Sequence, residues 1–167
     1  MQRTIALLSA AIVAISSQGV RAADQPVDND FIIKTSSCEH AIIDMSKMAD
    51  KHGDSAKVKD FASRLTKDHQ KCFDKLTEAI KNRKIVVVAG FEKDTKAEME
   101  RIGKLSGSEF DREYLKWIIA QHRDAVARFE AQSSKGTDKE MNSFAKDTLN
   151  GLRAYLKEAE ELSKATN

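Results

Sequence analysis

The sequence predicts an all-α fold, a four-helix bundle, and two observations support that prediction. Apolar side chains recur at three- and four-residue steps along the long segments, the spacing that places them on one face of a helix. Residues 54–82 show this most clearly, and their apolar face, with one histidine, is Val58, Phe61, Ala62, Leu65, His69, Cys72, Leu76 and Ile80. The single proline, Pro26, precedes the predicted start of the first helix. Because proline disrupts helix interiors, its absence from the later segments agrees with long helices.

The first 22 residues have the pattern of a secretory signal peptide. Arg3 gives the positive start, residues 5–15 form an apolar run, and small side chains precede a cut after Ala22 or Ala23. The run is shorter than the roughly 20 residues that span a bilayer. The sequence therefore predicts export, to the periplasm or out of the cell, with no transmembrane segment after cleavage.

The charge of the mature chain argues against two classes of partner. The sequence has 28 Lys and Arg against 26 Asp and Glu, and removal of Arg3 and Arg21 leaves 26 against 26, a formal net charge of 0. Charges of both signs are interspersed, as on solvated helix faces. No basic patch with interleaved aromatic side chains occurs, so a nucleic acid is not expected as a partner. No polybasic segment indicates a membrane surface either.

Turn and cap residues divide the predicted ferritin-like helical-bundle domain, residues 31–165, into helices. Residues 23–30 are expected to form an extended lead, whose last residues offer caps for a helix that ends near Lys51. Gly53 then suits the left-handed position beyond a helix end, and a cap residue follows it at once. This is the pattern of two helices joined by a tight turn.

Residues 84–90 interrupt the helical pattern. A β-branched run of this length could be a strand, but the rest of the chain offers it no partner, so an apolar connection across one end of the bundle is expected. A short helix over about residues 92–105 follows.

Two capping patterns begin the last two long helices. Ser108 with Asp111 resembles a capping box and starts a helix that ends at Gly136, and Thr137 with Glu140 is a capping box for the final helix. Long helices, short hairpin turns and one long crossover are the features of the ferritin-like form of the four-helix bundle. The predicted architecture is therefore two antiparallel helical hairpins with a short extra helix in the crossover.

A series of short motifs runs through about residues 31–163. The motifs are Phe61-Ala62, Asp68-His69, Leu105-Ser106-Gly107, Phe110-Asp111, Tyr114, His122, Phe144-Ala145 and Leu149. In this order they resemble an exported bacterial family of unknown function, whose members are often labelled predicted outer-membrane proteins and are placed in the ferritin-like superfamily. The resemblance implies the ferritin-like fold. Two positions depart from the family pattern, since Ile42 stands where a glutamate is usual and Tyr155 where a histidine is usual.

A metal site is the candidate chemistry of this sequence. His69 and His122 fall on the apolar faces of helices that are expected to face one another. Two neutral imidazoles with a carboxylate, Asp68 or Asp111, could bind one zinc, copper or nickel ion. The alternative is a pair of buried histidines that hydrogen-bond to backbone, tyrosine or carboxylate groups. No Glu-x-x-His pair occurs, so a di-iron centre is not expected.

Cys38 and Cys72 are the two cysteines of a chain that is expected to be exported. They lie at similar distances from the turn at Gly53, so a disulfide between the first two helices is one interpretation. Two small buried thiols are the other.

The expected function is that of a non-enzymatic binding or structural protein of the cell envelope, with an unknown envelope protein or small ligand as partner and no cofactor. No nucleophile motif such as Gly-x-Ser-x-Gly occurs. The alternative is a metal-binding or vestigial redox bundle that uses a single transition-metal ion at His69 and His122.

Overall fold

The computed structural model describes residues 26–83, 85, 91 and 93–166. This part of the chain forms five helices and contains no strand, which confirms the all-α prediction. The helices are α1 (Pro26–His52), α2 (Ala56–Ile80), α3 (Lys93–Ile102), α4 (Gly107–Lys135) and α5 (Lys139–Thr166). The predicted signal peptide and most of the predicted apolar connection lie outside the described residues. None of the described helices combines the length and the apolar character needed to cross a membrane.

The four long helices pack around a common interior. α1 packs against α2 and α4, and α5 packs against α4 and α2, while the short α3 contacts α4. Three-residue turns, 53–55 and 136–138, join α1 to α2 and α4 to α5. α2 and α4 therefore lie diagonally across the interior, and side chains from both can meet there.

Two clusters of buried apolar side chains fill this interior. The cluster nearer the α1–α2 turn includes Ala41, Ile42, Met45, Ala49, Val58, Phe61, Ala62, Leu65, Phe110, Tyr114, Leu115 and Ile118. The cluster nearer the α4–α5 turn includes Phe31, Ile32, Leu76, Ile80, Ala125, Phe129, Met141, Ala145, Leu149 and Leu152. Along α1, α2 and α4 the buried positions between the two clusters are polar, and this interruption defines the candidate site.

The start of α1 differs from the prediction. The helix begins at Pro26, so the predicted extended lead is wrong over residues 26–30. Proline is suited to a first helical turn, because its fixed φ matches the helix and no backbone bond needs its missing N–H there. Asp28 is fully buried and accepts hydrogen bonds from the backbone and hydroxyl of Thr137 and from Nε2 of Gln132. Asp28, in the first turn of α1, therefore binds the end of α4 and the α4–α5 turn, which lie far away in the sequence.

Asp138 caps α5, and the predicted Thr137–Glu140 capping box is wrong. The Asp138 carboxylate accepts the backbone N–H groups of Glu140 at 2.9 Å and Met141 at 3.1 Å. The Thr137 hydroxyl is engaged by Asp28 instead, and the Glu140 carboxylate pairs with Arg83. An ionised carboxylate is a stronger acceptor at a helix start than a hydroxyl.

Asp111 also has a different role from the one predicted. α4 starts one residue before Ser108, with Ser106 as its cap residue and no side-chain cap bond, so the Ser108–Asp111 pair is wrong. Asp111 is buried and accepts the backbone N–H groups of Asp54 at 3.2 Å and Ser55 at 2.7 Å. Its carboxylate therefore binds the backbone of the two residues that immediately precede α2, across the interior from its own helix.

Candidate functional site

A layer of polar side chains crosses the interior between the two apolar clusters. It takes one side chain from each long helix: Glu39 from α1, His69 from α2, His122 from α4 and Tyr155 from α5. Glu39, His69 and His122 are 3%, 4% and 0% exposed, and Tyr155 is half-buried. We call these four residues the polar layer.

His69 and Glu39 form a buried hydrogen bond. The Nδ1 atom of His69 lies 2.6 Å from Oε2 of Glu39. A carboxylate oxygen accepts, so Nδ1 carries the hydrogen and donates it. The carboxylate thereby fixes the orientation of the ring and leaves Nε2 as the second ring nitrogen.

Glu39 is the site residue that sequence reasoning missed. Ile42, at the position where a glutamate is usual in the resembled family, is fully buried in an apolar cluster. Glu39 supplies a carboxylate one helical turn earlier. The sequence feature that could have identified Glu39 is its spacing to Ile42 and Ser46, which follow it by three and seven residues. This spacing places all three on one face of α1, and all three are buried.

His122 has one satisfied and one unsatisfied ring nitrogen. Its Nδ1 lies 3.0 Å from the backbone oxygen of Ile118, and because that oxygen only accepts, Nδ1 carries the hydrogen. Its Nε2 is buried and has no hydrogen-bond partner in the described part of the chain. Burial, together with the neighbouring His69, lowers the pKa of His122 to about 3. The ring is therefore neutral near pH 7, and Nε2 presents a free lone pair.

The two histidines meet across the interior, and Tyr155 lies beside both. The His69 and His122 ring centroids are 5.3 Å apart in an edge-to-face contact at 78°. The Tyr155 ring centroid lies 6.2 Å from that of His69 and 6.1 Å from that of His122. Its hydroxyl donates to Asp68 at 2.7 Å. Thus the structure brings together both predicted histidines and places an aromatic ring against them.

Neither predicted carboxylate ligand joins the histidines. Asp68 is exposed and accepts from Tyr155 and from Lys71, and these donors lower the pKa of its carboxyl group. Asp111 precedes His122 by eleven residues on α4, about 16 Å at a rise of about 1.5 Å per residue. Accordingly, no three His, Cys, Asp or Glu side chains form a ready-made metal site within the described residues.

Cys38 and Cys72 are free thiols, so the structure agrees with the second of the two interpretations and does not support the disulfide. Cys38 faces α4, where its Sγ lies 3.9 Å from Oε1 of Gln121, whereas Cys72 lines a cleft with Thr148 of α5. The similar distances of the two cysteines from the α1–α2 turn fix their positions along the helix axes. They do not fix the directions in which the side chains point. Burial raises the pKa of Cys38 to about 12 and also raises that of Cys72, so both thiols are protonated at neutral pH.

A small cleft leads from the α2–α5 surface to His69. Its volume is about 80 Å³, and its lining is Asp68, His69, Cys72, Thr148, Gly151, Leu152 and Tyr155. Gly151 borders open space on this side, since a Cβ there would have no neighbour within 4 Å. A small ion can therefore approach His69 from this side.

The fold and the site define a helical-bundle protein whose interior contains a polar layer with two histidines. A family model described as a domain of unknown function, DUF4142, matches residues 15–162. The chain therefore belongs to the DUF4142 family. Among proteins of curated function none matches. None of the comparisons supports the outer-membrane label.

Several solved structures have a similar fold. A DUF305 protein of Streptomyces coelicolor, inferred to be secreted, has a TM-score of 0.73 at 16% identity, over 84% of this chain and 93% of that chain. The protein CopM in its Cu(I)-bound form has a TM-score of 0.70 at 18% identity, over 84% and 98%. Its Cu(II)-bound form has a TM-score of 0.72 at 19% identity, over 84% and 97%. At these identities the likeness shows the fold alone.

Proposed function

We propose that this chain is an exported, non-enzymatic binding protein of the cell envelope that holds one transition-metal ion between His69 and His122. The observation that carries the proposal is the buried Nε2 of His122, which lies beside the His69 ring and has no partner among the residues that the structure describes. A buried polar atom without a partner costs roughly 1–3 kcal/mol, and a bound ion would remove that penalty. We further propose that the helices have the ferritin-like four-helix arrangement.

The hydrogen bonds of the layer favour metal binding through Nε2 of both rings. Metal-binding histidines usually donate their other ring N–H to a carboxylate or a backbone carbonyl, as His69 does to Glu39 and His122 does to Ile118. Metal bonds to nitrogen are about 2 Å long, so a centroid separation of 5.3 Å between the two imidazole rings is compatible with one shared ion.

Two nitrogens favour copper in its reduced state over zinc. Imidazole suits both metals, but a structural zinc ion almost always takes four ligands. Cu(I) and Ag(I) accept two-coordinate geometry, so the His69–His122 pair can bind them without a third side chain. The fold neighbour CopM is known in Cu(I)-, Cu(II)- and Ag-bound forms, which supports this choice of metals.

The dimensions of the site support a binding role without catalysis. The cleft beside His69 has a volume of about 80 Å³, well below the roughly 300–1,000 Å³ of usual small-molecule pockets. An ion fits this space, whereas an organic substrate together with an ion does not. The signal-peptide pattern of residues 1–22 supports export.

The test is metal retention by protein purified without a histidine tag. The protein is offered Cu(I), Ag(I) or Zn(II), desalted, and analysed for metal by mass spectrometry. We expect wild type to retain one Cu(I) or Ag(I) ion per chain and the His69→Gln, His122→Gln double variant to retain none.

The matched control removes two histidines outside the polar layer. His40 and His52 are partly buried, with Nδ1 near the backbone oxygens of Ser36 and Leu105 respectively, and the His40→Gln, His52→Gln variant should bind as wild type does. Empty wild type, or a folded His69→Gln, His122→Gln variant that keeps the ion, would refute the metal site.

Export is tested separately by fractionation of cells that produce the full chain. We expect the protein in the periplasm or the medium, with a mass that corresponds to cleavage after Ala22 or Ala23. A full-length protein retained in the cytoplasm would contradict the export proposal.

A further inference from the structure

A second cleft lies on the other side of α1, between α1, α3 and α4. Its volume is about 270 Å³, and its lining includes Lys34, Cys38, Thr95, Gln121, Asp124 and Arg128. None of these residues belongs to the polar layer, so this cleft is independent of the proposed metal site.

Arg128 is the unusual member of this lining. Its Nε atom is buried and has no hydrogen-bond partner among the described residues. A guanidinium group is positively charged and can only donate hydrogen bonds, so the Nε–H group of Arg128 is a charged donor. Leaving such a donor without an acceptor is unfavourable, and an acceptor that enters the cleft would relieve it.

The neighbours of Arg128 add positive charge and hydrogen-bond donors. Lys34 contributes a second cation at the rim, where it also pairs with exposed Asp30. The Cys38 thiol, whose pKa burial raises to about 12, donates to Oε1 of Gln121 and lies within hydrogen-bond reach of the Arg128 guanidinium, whose Nε still has no partner among the described residues. The amide NH₂ of Gln121 is thereby left as a donor. The lining thus matches a ligand that accepts hydrogen bonds and is negatively charged.

We infer that this cleft binds a small organic anion through a carboxylate group, with the Arg128 guanidinium as the main donor. The planar fork of a guanidinium matches a carboxylate with two parallel hydrogen bonds. The volume of about 270 Å³ admits a ligand with few carbon atoms, such as a dicarboxylate. Asp124 in the same lining disfavours highly charged polyanions, because like charges repel.

The test is isothermal titration calorimetry with succinate at constant ionic strength, with sodium chloride as the blank. We expect saturable binding to wild type and a loss of roughly tenfold or more in affinity for Arg128→Gln, since a charged hydrogen bond disappears. The matched control is Arg123→Gln, which removes an exposed arginine of the same helix that pairs with Glu160. Its affinity should equal that of wild type.

A second variant separates binding from folding. Asp124→Asn removes the opposing charge and should tighten succinate binding, an effect that a purely structural role of the cleft would not produce. Wild type without saturable binding, Arg128→Gln with unchanged affinity, or preferential binding of inorganic phosphate would each overturn the inference. Because no residue is shared with the polar layer, failure here leaves the metal proposal unaffected.

Discussion

Glu39 accepts a hydrogen bond from Nδ1 of His69 at 2.6 Å, and both side chains are buried between two apolar clusters. The carboxylate thus sets which nitrogen of His69 is available to a ligand. Carboxylate partners of this kind orient a metal-binding ring and raise its basicity. The relationship makes Glu39 a positioning residue for any ion bound at the histidines.

Glu39→Gln keeps the size of the side chain and removes its charge. We expect a loss of about 1 kcal/mol in the free energy of unfolding, because a charge-assisted bond is roughly twice as strong as a neutral one. Copper affinity should fall by roughly 10- to 100-fold, the usual effect of losing such a partner. Urea unfolding and competition with a chromophoric chelator measure the two quantities. Asp44→Asn, at an exposed position of the same helix, is the control that should leave both unchanged.

The depressed pKa of His122 predicts a pH-dependent stability. The folded pKa, about 3, lies below the ordinary value of 6.5, so the unfolded chain binds a proton that the folded chain does not. The stability is therefore fully present above pH 6.5 and is lost as the pH falls toward 3, by roughly 1 kcal/mol per pH unit.

Urea unfolding of the metal-free protein at pH 7.5, 6 and 5 checks this slope. His122→Gln should flatten it, whereas His52→Gln, outside the polar layer, should keep it. Equal slopes for wild type and His122→Gln would show that His122 does not titrate as its burial requires.

Tyr155→His introduces the residue that is usual in the resembled family. The Tyr155 ring lies about equally far from both histidine rings, at 6.2 and 6.1 Å, so an imidazole there can become a third ligand. We expect tighter copper binding and measurable zinc binding, because zinc requires more ligands than the present pair supplies. Tyr155→Phe, which adds no ligand, should bind copper as wild type does. If neither wild type nor Tyr155→His bound zinc, this result would count against convergence of positions 69, 122 and 155 on one ion.

Asp111→Ala tests the carboxylate that holds the start of α2. The variant leaves the N–H groups of Asp54 and Ser55 without their acceptor, and we expect a loss of about 1–3 kcal/mol in the free energy of unfolding. The copper content should be unchanged, since Asp111 lies far from His122 along α4. Asp124→Ala, at an exposed position of the same helix, should have little effect on stability. A folded Asp111→Ala protein without copper would restore Asp111 as a ligand.

Local patterns in the sequence predicted the helices and the buried face of α2 well. Its buried residues include Val58, Phe61, Leu65 and His69, all from the predicted face, because a helix repeat is a property of neighbouring residues. The two site histidines followed from the same argument. Glu39 was missed because the resembled family has its glutamate at the position of Ile42, three residues further along α1.

The roles of Asp28 and Asp111 could not be predicted in this way. Asp28 bonds to Thr137, and Asp111 bonds to Asp54 and Ser55, contacts that join distant parts of the chain. Capping rules, which consider only neighbouring residues, predict that each aspartate caps the start of its own helix. Only the packing of the helices decides which backbone N–H groups a buried carboxylate meets.

The division of the interior into two apolar clusters by a polar layer also fixes the alignment of the helices. If one long helix slid by a turn, about 5.4 Å, its polar residue would enter an apolar cluster and lose its partner. For α1 this would separate Glu39 from His69 and leave a carboxylate among aliphatic side chains, which is strongly unfavourable. Purely apolar faces would tolerate such a slip more easily. The polar layer therefore selects one alignment of the four helices from several that hydrophobic packing alone would permit.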